Sequence, residues 1–541
     1  MPRPQIDYSV YLVTGRELLP PGKSLEESLK GGVTVVQVRE KTTETGEFVD
    51  ITRKTKALCD RYGVPVLVND RVDVALAAGV AGIHIGQDDM DPVTARKLIG
   101  EDAILGLSVS TVAEAEKAIQ LPEGVLDYVG VGAVWSTASK DVSKKVMLGP
   151  SGAGEILDVI ADSGLGGINA RNTPFLLHGS VSPLKNNSLD GVAVISAIVS
   201  SSDPEAAARQ LSDQVASFKR ANSYDMPPFS AFAPSGGDIL GSMLETVGEL
   251  IHTVRKTTPL VHQITNSVVV NDSANVTLAV GASPIMATNE RDCVDLSKNI
   301  GSLLINSGTI TDETFKGMLA AGQAANVNGK PVVWDPVAVG ATAFRRETGQ
   351  QLLHAFQPTV IKGNAAEIGA LANSTEVSAR GVDSVGRLSD PAALVRKLAK
   401  ERRCIVVMTG AEDYISNGTT VLRCTNGHPL LGLITGSGCM TGSIVACFLA
   451  AARTWFLQRV GDMGADEEGF SEQGWESESQ LTQGNMLIGA LAGVLTFNVA
   501  AEQAAKRPDV KGPGTFRAAL IDEMYAVSAA EVCQFAKVEI L

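Results

Sequence analysis

From Asp7 to about Lys219, short apolar runs alternate with stretches whose apolar residues recur at helical spacing, the rhythm of βα units around a parallel sheet. The strand candidates are YSVYLVTG, VTVVQVRE, PVLVND, GIHIG, ILGLSVS, YVGVGAVW, a weak one near LGGIN, and GVAVISAI. Eight such units predict a TIM (β/α)8 barrel, in which the loops at the C-terminal strand ends carry the chemistry. Those ends hold Arg39-Glu40-Lys41, Asn69-Asp70, Gln87-Asp88-Asp89, Ser108, Trp135 to Lys140, Gly166-Gly167 and Ile195-Ser196. The seventh unit is short: between GAGEILDVIAD and Gly166-Gly167 only Ser163, Gly164 and Leu165 remain. Either ILDVIA becomes the strand and its crossover helix is lost, or strand seven is stunted. The first leaves too little chain for a normal crossover.

Residues 220–238, RANSYDMPPFSAFAPSGGD, lose periodicity and gather Pro, Ser and Gly, which predicts a linker. A second series follows from Ile239: PLVHQIT, SPIMA, SLLINS, PVVWDPV, TVIKGN and CIVVMTG, with long Ala-rich helices between and after them. The expected organisation is a barrel over 1–219, a linker over 220–238 and a layered α/β domain over 239–541. Gly461 to Gln480 holds seven acidic residues and no Lys or Arg, and reads as a solvated insertion between two helices.

Composition narrows the function classes. The 541 residues are 44% apolar and 20% charged, enough for two large cores and unlike a disordered or fibrous chain. Forty-six Lys and Arg against 60 Asp and Glu leave a net charge of −14 with no cationic stripe, so neither nucleic acid nor a membrane surface is an expected partner. Anionic substrates must then be held by locally placed cations or by metal. The seven cysteines are widely spaced without a CxxC or Cys/His ligand pattern, a reduced inventory. MPRPQIDYSVYLV carries no basic region followed by a long apolar one, and the apolar stretch 484–501 is broken by Gly, Asn and Thr. A soluble, cytoplasmic enzyme is expected.

In VQVREK, period two sends Gln37, Arg39 and Lys41 to one face, a grip for pyrophosphate. Asp70 closes the next strand and Asp89 follows the one after, so two carboxylates from neighbouring strand ends can share a Mg²⁺. Taken singly, each reads as a helix N-cap, and for Asp70 alone that reading would ordinarily win. In the second half, LLGLITGSGCMTGSIVACFLAA puts Thr435-Gly436-Ser437-Gly438-Cys439 immediately before a long apolar helix. Small residues there let backbone N–H groups close around an anion, and the helix dipole adds partial positive charge.

Taken in order, VQVREK, VNDRVDVALAAGVAGIHIGQDDM, GLSVS, STASK, GGIN and GVAVISAI resemble thiamine phosphate synthase over roughly residues 7–219. The resemblance implies joining a hydroxymethylpyrimidine diphosphate to a thiazole phosphate with release of pyrophosphate. It places Mg²⁺ on Asp70 and Asp89, and the diphosphate on Arg39, Lys41, Ser108 and Lys140. The pyrimidine falls to Gln37 and Asn69 with His84 nearby, and the thiazole phosphate to Thr137, Ser139, Gly167, Ile195 and Ser196.

Likewise PLVHQITNSVVVNDSANVTLAVGASPIMA, WDPVAVGATAFR, VIKGNAAEI, VVMTGAEDYI and the glycine segment resemble hydroxyethylthiazole kinase, of the ribokinase-like class, over roughly residues 239–537. That implies ATP-dependent phosphorylation of the thiazole alcohol, with sites between subunits of a trimer. Asn266, Met286 and Gly436 would line the alcohol pocket, Lys362 and Thr409 would contact ATP, and Asp335 and Glu367 would organise Mg²⁺. Lys362 stands where the bacterial pattern commonly has Arg, a point charge in place of a fork. Cys439 stands where sugar kinases of the class use an Asp base, and both base and orienter of the hydroxyl are open roles for it. Two other readings compete: a barrel that only binds thiamine-pathway phosphates as a sensor, and a C-terminal kinase for another small alcohol or pyrimidine.

Overall fold

The computed structural model describes residues 6–18, 20–134, 148–160, 163–166, 172–185, 187–222, 238–380, 383–386, 388–462 and 481–541. The chain divides into two compact units, Met1–Asp225 and Met226–Leu541.

In the first unit eight strands close a parallel barrel: β1 (Val10–Val13), β2 (Val35–Val38), β3 (Val66–Asn69), β4 (Gly82–Ile85), β5 (Ile104–Val109), β6 (Tyr128–Val131), β7 (Ser163–Gly166) and β8 (Gly191–Val194). The seam is made by β1 and β8, with Tyr11 opposite Ala193. Strand alternation sorts the apolar residues into two clusters. Val10, Leu12, Val36, Val38, Val66, Val68, Ile83 and Ile85 face the surrounding helices. Tyr11, Val35, Leu67, Ile104 and Tyr128 fill the interior. Room for the Tyr128 ring depends on Gly106, where a Cβ would lie 2.1 Å from the ring.

Strand seven takes the stunted form. SGLG pairs on both sides, with Gly164 opposite Gly130 and Gly191, while the preceding helix runs from Gly149 to Leu157. The strand begins two residues before the expected LGGIN and shares Leu165 and Gly166 with it. Closure survives because β7 needs only backbone groups to join its neighbours. The period-two face of Gln37, Arg39 and Lys41 needs correction: β2 ends at Val38, so only Gln37 projects from the strand, and Arg39 and Lys41 lie in the loop before the helix Thr45–Asp60.

The expected linker begins inside a helix, Pro204–Asn222, and its last residue, Asp238, caps the next helix, Ile239–Thr257, by accepting the Gly241 N–H. The intervening residues 223–237 lie outside the described residues, as do residues 463–480 of the acidic segment.

The second unit is built on β9 (Leu260–Ile264), β10 (Ser283–Ile285), β11 (Ser302–Asn306), β12 (Val332–Asp335) and β13 (Val360–Asn364). A two-stranded ribbon, β14 (Val377–Arg380) and β15 (Asp383–Gly386), stands apart from the main sheet. Four more strands follow: β16 (Ile405–Thr409), β17 (Asp413–Ser416), β18 (Val421–Cys424) and β19 (Val538–Ile540). The sheet runs β10-β9-β11-β12-β13-β16-β17-β18-β19, parallel through β16 and antiparallel beyond it. The six parallel strands match the six apolar runs of the sequence. The antiparallel edge was not anticipated, although Asn417-Gly418 between β17 and β18, with Gly418 at φ 95°, is a hairpin signal.

Helices Ser437–Asp462 and Met486–Lys506 pack on each other, and a Cβ on Gly493 would lie 2.6 Å from the Val445 Cα. Both are long and apolar enough to cross a membrane. Their most apolar windows are 78% and 94% buried within the fold, as core helices of a layered domain are.

Candidate active sites

Asn69 and His84 lie side by side at the C-terminal mouth of the barrel, on neighbouring strands. The next residue, Asp70, adopts φ 64°, a left-handed conformation uncommon outside glycine and concentrated at functional sites. Its carboxylate meets Lys41, Nζ to Oδ2 2.5 Å. Asp89, in the turn after β4, accepts the Gly86 N–H at 2.7 Å and is hydrogen-bonded to Asp70. Burial pushes both carboxyls up, but Lys41 and the bond to Asp89 bring Asp70 below its ordinary value, while Asp70 raises Asp89 further. Each carboxyl thus bears on the other's ionisation, with Asp70 the more readily charged of the two. Neither is a helix cap: Arg71 and Asp91 hold those positions.

Behind this mouth runs an unbroken chain of side-chain hydrogen bonds. Gln37 Nε2 donates to the Tyr11 hydroxyl at 2.7 Å, and the Tyr11 and Tyr128 hydroxyls are 2.8 Å apart. Tyr128 meets His84 Nδ1 at 2.8 Å, and His84 Nε2 meets Ser108 Oγ at 2.8 Å. Gln37, Asn69 and Ser108 are thus brought to one interior, and His84 is a link between them. Tyr11 and Tyr128 were missed, since in YSVYLV and YVGV they read only as strand residues; their shared inward parity was the available signal. Arg39 is half-buried, its N–H donating to Thr14 Oγ1. Ile195 precedes the short helix Ser196–Val199 directly after β8, with Ser196 exposed. Thr137, Ser139, Lys140 and Gly167 lie outside the described residues.

In the second unit the sheet register places Asn306 opposite Asp335, and both side chains are fully buried. Asn306 Nδ2 donates to Asp335 Oδ2 at 2.8 Å and to Cys439 Sγ at 3.2 Å. Asn266 Nδ2 donates to Asn306 Oδ1 at 3.0 Å and to the same sulfur at 3.4 Å. Lys362 Nζ lies 3.4 Å from Asp335 Oδ2. Asp335 Oδ1 is buried with no hydrogen-bond partner. Glu367 is differently engaged: Oε1 accepts the Ala338 N–H at 2.8 Å and Oε2 the Asn364 N–H at 2.7 Å. Asn306 went unread in the sequence because SLLINS looks only like the end of a strand.

The glycine segment closes onto this cluster. Gly436 has φ 81°, and a Cβ there would lie 2.2 Å from Val269; one on Gly438 would lie 3.3 Å from Lys362 Nζ. Burial, reinforced by Asp335, pushes the Cys439 thiol up to about 11, so it is protonated at neutral pH. Burial also pushes Asp335 up against the pull of Lys362, whereas Lys362 is raised despite burial by Asp335, Glu367 and Cys439. The lysine therefore keeps its charge. Thr409 ends β16 beside Asn364, and half-buried Met286 follows β10, with the neighbouring Ala287 carbonyl bonded to His262 Nε2 at 2.8 Å.

A barrel with paired carboxylates at its mouth, followed by a layered domain with a glycine-lined helix start over a buried Lys–Asp pair, defines an enzyme with two centres for anionic substrates. The family model for thiamine monophosphate synthase matches residues 10–198, and that for the hydroxyethylthiazole kinase family matches residues 251–463. The probable thiamine biosynthetic bifunctional enzyme of Schizosaccharomyces pombe is 37% identical over 540 residues, 96% of this chain and 95% of that one. The thiamine biosynthetic bifunctional enzyme of Saccharomyces cerevisiae is 33% identical over 557 residues, with the same coverage of each chain. A solved hydroxyethylthiazole kinase from Pyrococcus horikoshii is 32% identical, covering 55% of this chain and 99% of its own, with a TM-score of 0.44. The chain belongs to the family of bifunctional thiamine-biosynthetic enzymes, with a thiamine phosphate synthase barrel followed by an ATP-using hydroxyethylthiazole kinase domain. The sensor reading of the barrel and the other-alcohol reading of the kinase are not favoured by these matches.

Proposed function

We propose that the C-terminal domain phosphorylates hydroxyethylthiazole and that the barrel joins the resulting thiazole phosphate to hydroxymethylpyrimidine diphosphate, giving thiamine phosphate and pyrophosphate. The observation that carries the synthase assignment is the meeting of Lys41, Asp70 and Asp89 in the loops that follow β2, β3 and β4. A carboxyl pair whose second charge is disfavoured suits a divalent cation. Among the described residues no group of three or more His, Cys, Asp or Glu side chains could hold a metal. Two carboxylates with substrate phosphates completing the shell is the usual habit of Mg²⁺. When bound there, Mg²⁺ supplies neutralisation of the departing diphosphate.

Arg39, Lys41, Ser108 and Lys140 take the diphosphate oxygens. The C–O bond breaks with its electrons leaving on pyrophosphate, the aminopyrimidine ring bears the methylene cation, and the thiazole nitrogen closes the new C–N bond. Asn69 and Gln37 orient the pyrimidine. Thr137, Ser139, Gly167, Ile195 and Ser196 hold the thiazole phosphate, largely by backbone N–H groups.

In the kinase, Asp335 Oδ1 is the open lone pair for Mg²⁺. Glu367, with both oxygens on backbone N–H groups, holds the 336–339 turn and deepens the negative field. Lys362 and Thr409 address ATP; Asn266, Met286 and Gly436 address the alcohol. Cys439, a thiol receiving two amide N–H bonds, orients the hydroxyl rather than removing its proton. The resemblance of the kinase domain implies a trimer-based oligomer with its sites between subunits. A cytoplasmic setting suits the free cysteines.

The decisive test supplies purified protein with hydroxyethylthiazole, ATP, pyrimidine diphosphate and Mg²⁺, and follows thiamine phosphate by chromatography. Asp89→Ala is expected to accumulate thiazole phosphate, and Lys362→Ala to stop before it. Thiamine phosphate from both variants at the wild-type rate would refute the division of labour.

A further inference from the structure

We infer that the hydrogen-bonded chain Gln37–Tyr11–Tyr128–His84–Ser108 is a one-way relay that fixes what each of its two ends shows the substrate: a hydrogen-bond donor to the diphosphate at Ser108 and an acceptor for an exocyclic amine at Gln37. The inference rests on the proposed placement of the diphosphate at Ser108 and the pyrimidine at Gln37, and adds to it the polarity of the site and the two tyrosines that set it.

Hydroxyl and imidazole hydrogens have two ways to arrange themselves along such a chain, and the ends decide between them. A diphosphate offers acceptors only, so Ser108 Oγ–H must point toward it. Ser108 Oγ, 2.8 Å from His84 Nε2, then accepts from that nitrogen. The relay holds the imidazole neutral; with its hydrogen on Nε2, Nδ1 accepts, and the group 2.8 Å away is the Tyr128 hydroxyl. Tyr128, having given its hydrogen to His84, accepts from Tyr11 at 2.8 Å. Tyr11 accepts in turn from Gln37 Nε2 at 2.7 Å.

With Nε2 so committed, the amide is held in one flip state and the group left to the pyrimidine is Oε1. Gln37, Tyr11 and Tyr128 are all buried, 3%, 4% and 4% exposed, so water does not readily substitute for a missing link. Burial pushes both phenols far up, which keeps them protonated and able to pass the direction on.

The polarity has a chemical consequence. As the C–O bond breaks, positive charge spreads from the methylene carbon into the ring and its amino group, whose N–H becomes a stronger donor. An acceptor at that place stabilises the cation more than the ground state. The reversed chain would present the amide N–H₂ and oppose it. Tyr11 and Tyr128 are thus positioning residues, acting through Gln37 and Ser108.

The test uses the full-length protein and two phenylalanine variants. kcat/KM is measured for the aminopyrimidine diphosphate and for the analogue carrying an oxo group in place of the amine, and pyrophosphate inhibition is measured alongside. Tyr11→Phe breaks the chain at the Gln37 end only, so the preference for the amine over the oxo analogue should fall roughly 10- to 100-fold while pyrophosphate affinity holds. Tyr128→Phe frees both Gln37 and the His84 tautomer, so preference and pyrophosphate affinity should fall together. Equal losses on both substrates, with the preference intact, would reduce the tyrosines to packing and overturn the relay. Ser108→Ala and Gln37→Ala separate the two levels. If both leave synthase activity untouched, the underlying placement fails; if they impair it while the phenylalanine variants keep the wild-type preference, the relay alone fails.

Discussion

Cys439 shows how much a single side chain's role depends on its surroundings. Helix N-termini lower thiol values, and on that ground the sequence left a base and an orienter equally open. Burial and the neighbouring Asp335 push the thiol to about 11 instead. Were a thiolate required, kinase kcat/KM would climb about tenfold per pH unit through neutrality and beyond. The expected profile lacks that slope between pH 6.5 and 9, measured with a coupled assay for ADP. Asn306 belongs to the same scale. Its amide joins Asp335 to the sulfur, so Asn306→Ala should lower kcat by about one to two orders of magnitude while leaving ATP KM within a few-fold. The resemblance to hydroxyethylthiazole kinase named Cys439, Asp335 and Lys362, whereas Asn306 was passed over, because only the parallel register of β11 and β12 makes it their neighbour.

The barrel carboxyls yield a stability prediction with a definite sign. Asp89 is raised by burial and by Asp70, so its ionised form is disfavoured in the folded state, and it lowers stability at every pH above its raised value. Asp70 is lowered by Lys41 and by the bond to Asp89, against burial. Its contribution is present above the unfolded carboxyl value and lost as pH falls through the lower folded one. Asp89→Asn should therefore raise the melting temperature of metal-free protein at pH 7 while abolishing synthase activity; calorimetry and product analysis on one preparation check both.

Among the elements, most strands could be read as apolar runs, and the exceptions share a cause. β7 has one residue with a large apolar side chain, Leu165, in SGLG, so hydrophobic patterning has little to register. It is held by two neighbours whose hydrogen bonds need no side chains. β17 and β18 are four residues each, and β19 reaches the same sheet edge from the C-terminus, a partnership invisible along the chain. Helix packing supplies a direct test. Gly493 lets the helix Met486–Lys506 approach the backbone at Val445, and the atom in the way of a Cβ is main chain, which cannot rotate aside. Gly493→Ala should destabilise by about 1 to 3 kcal/mol, read as an earlier urea midpoint for loss of kinase activity.

For the molecule as a whole, the two centres perform consecutive reactions on one chain, so failures in them should separate. Thiazole phosphate added from outside should restore thiamine phosphate synthesis to Lys362→Ala and leave Asp89→Ala inactive, with both followed as product formed against time.

The order and type of elements, the two domains and most of the chemical groups were determined by the sequence itself, since apolar periodicity and glycine-rich turns are local properties of the chain. Which groups touch was decided by the tertiary structure: Lys41 with Asp70, Asn306 with Cys439, Gln37 with Ser108 through two tyrosines. Those contacts join residues tens to more than a hundred positions apart. Strand register, barrel closure and burial create them, and the same burial sets the protonation on which the chemistry depends.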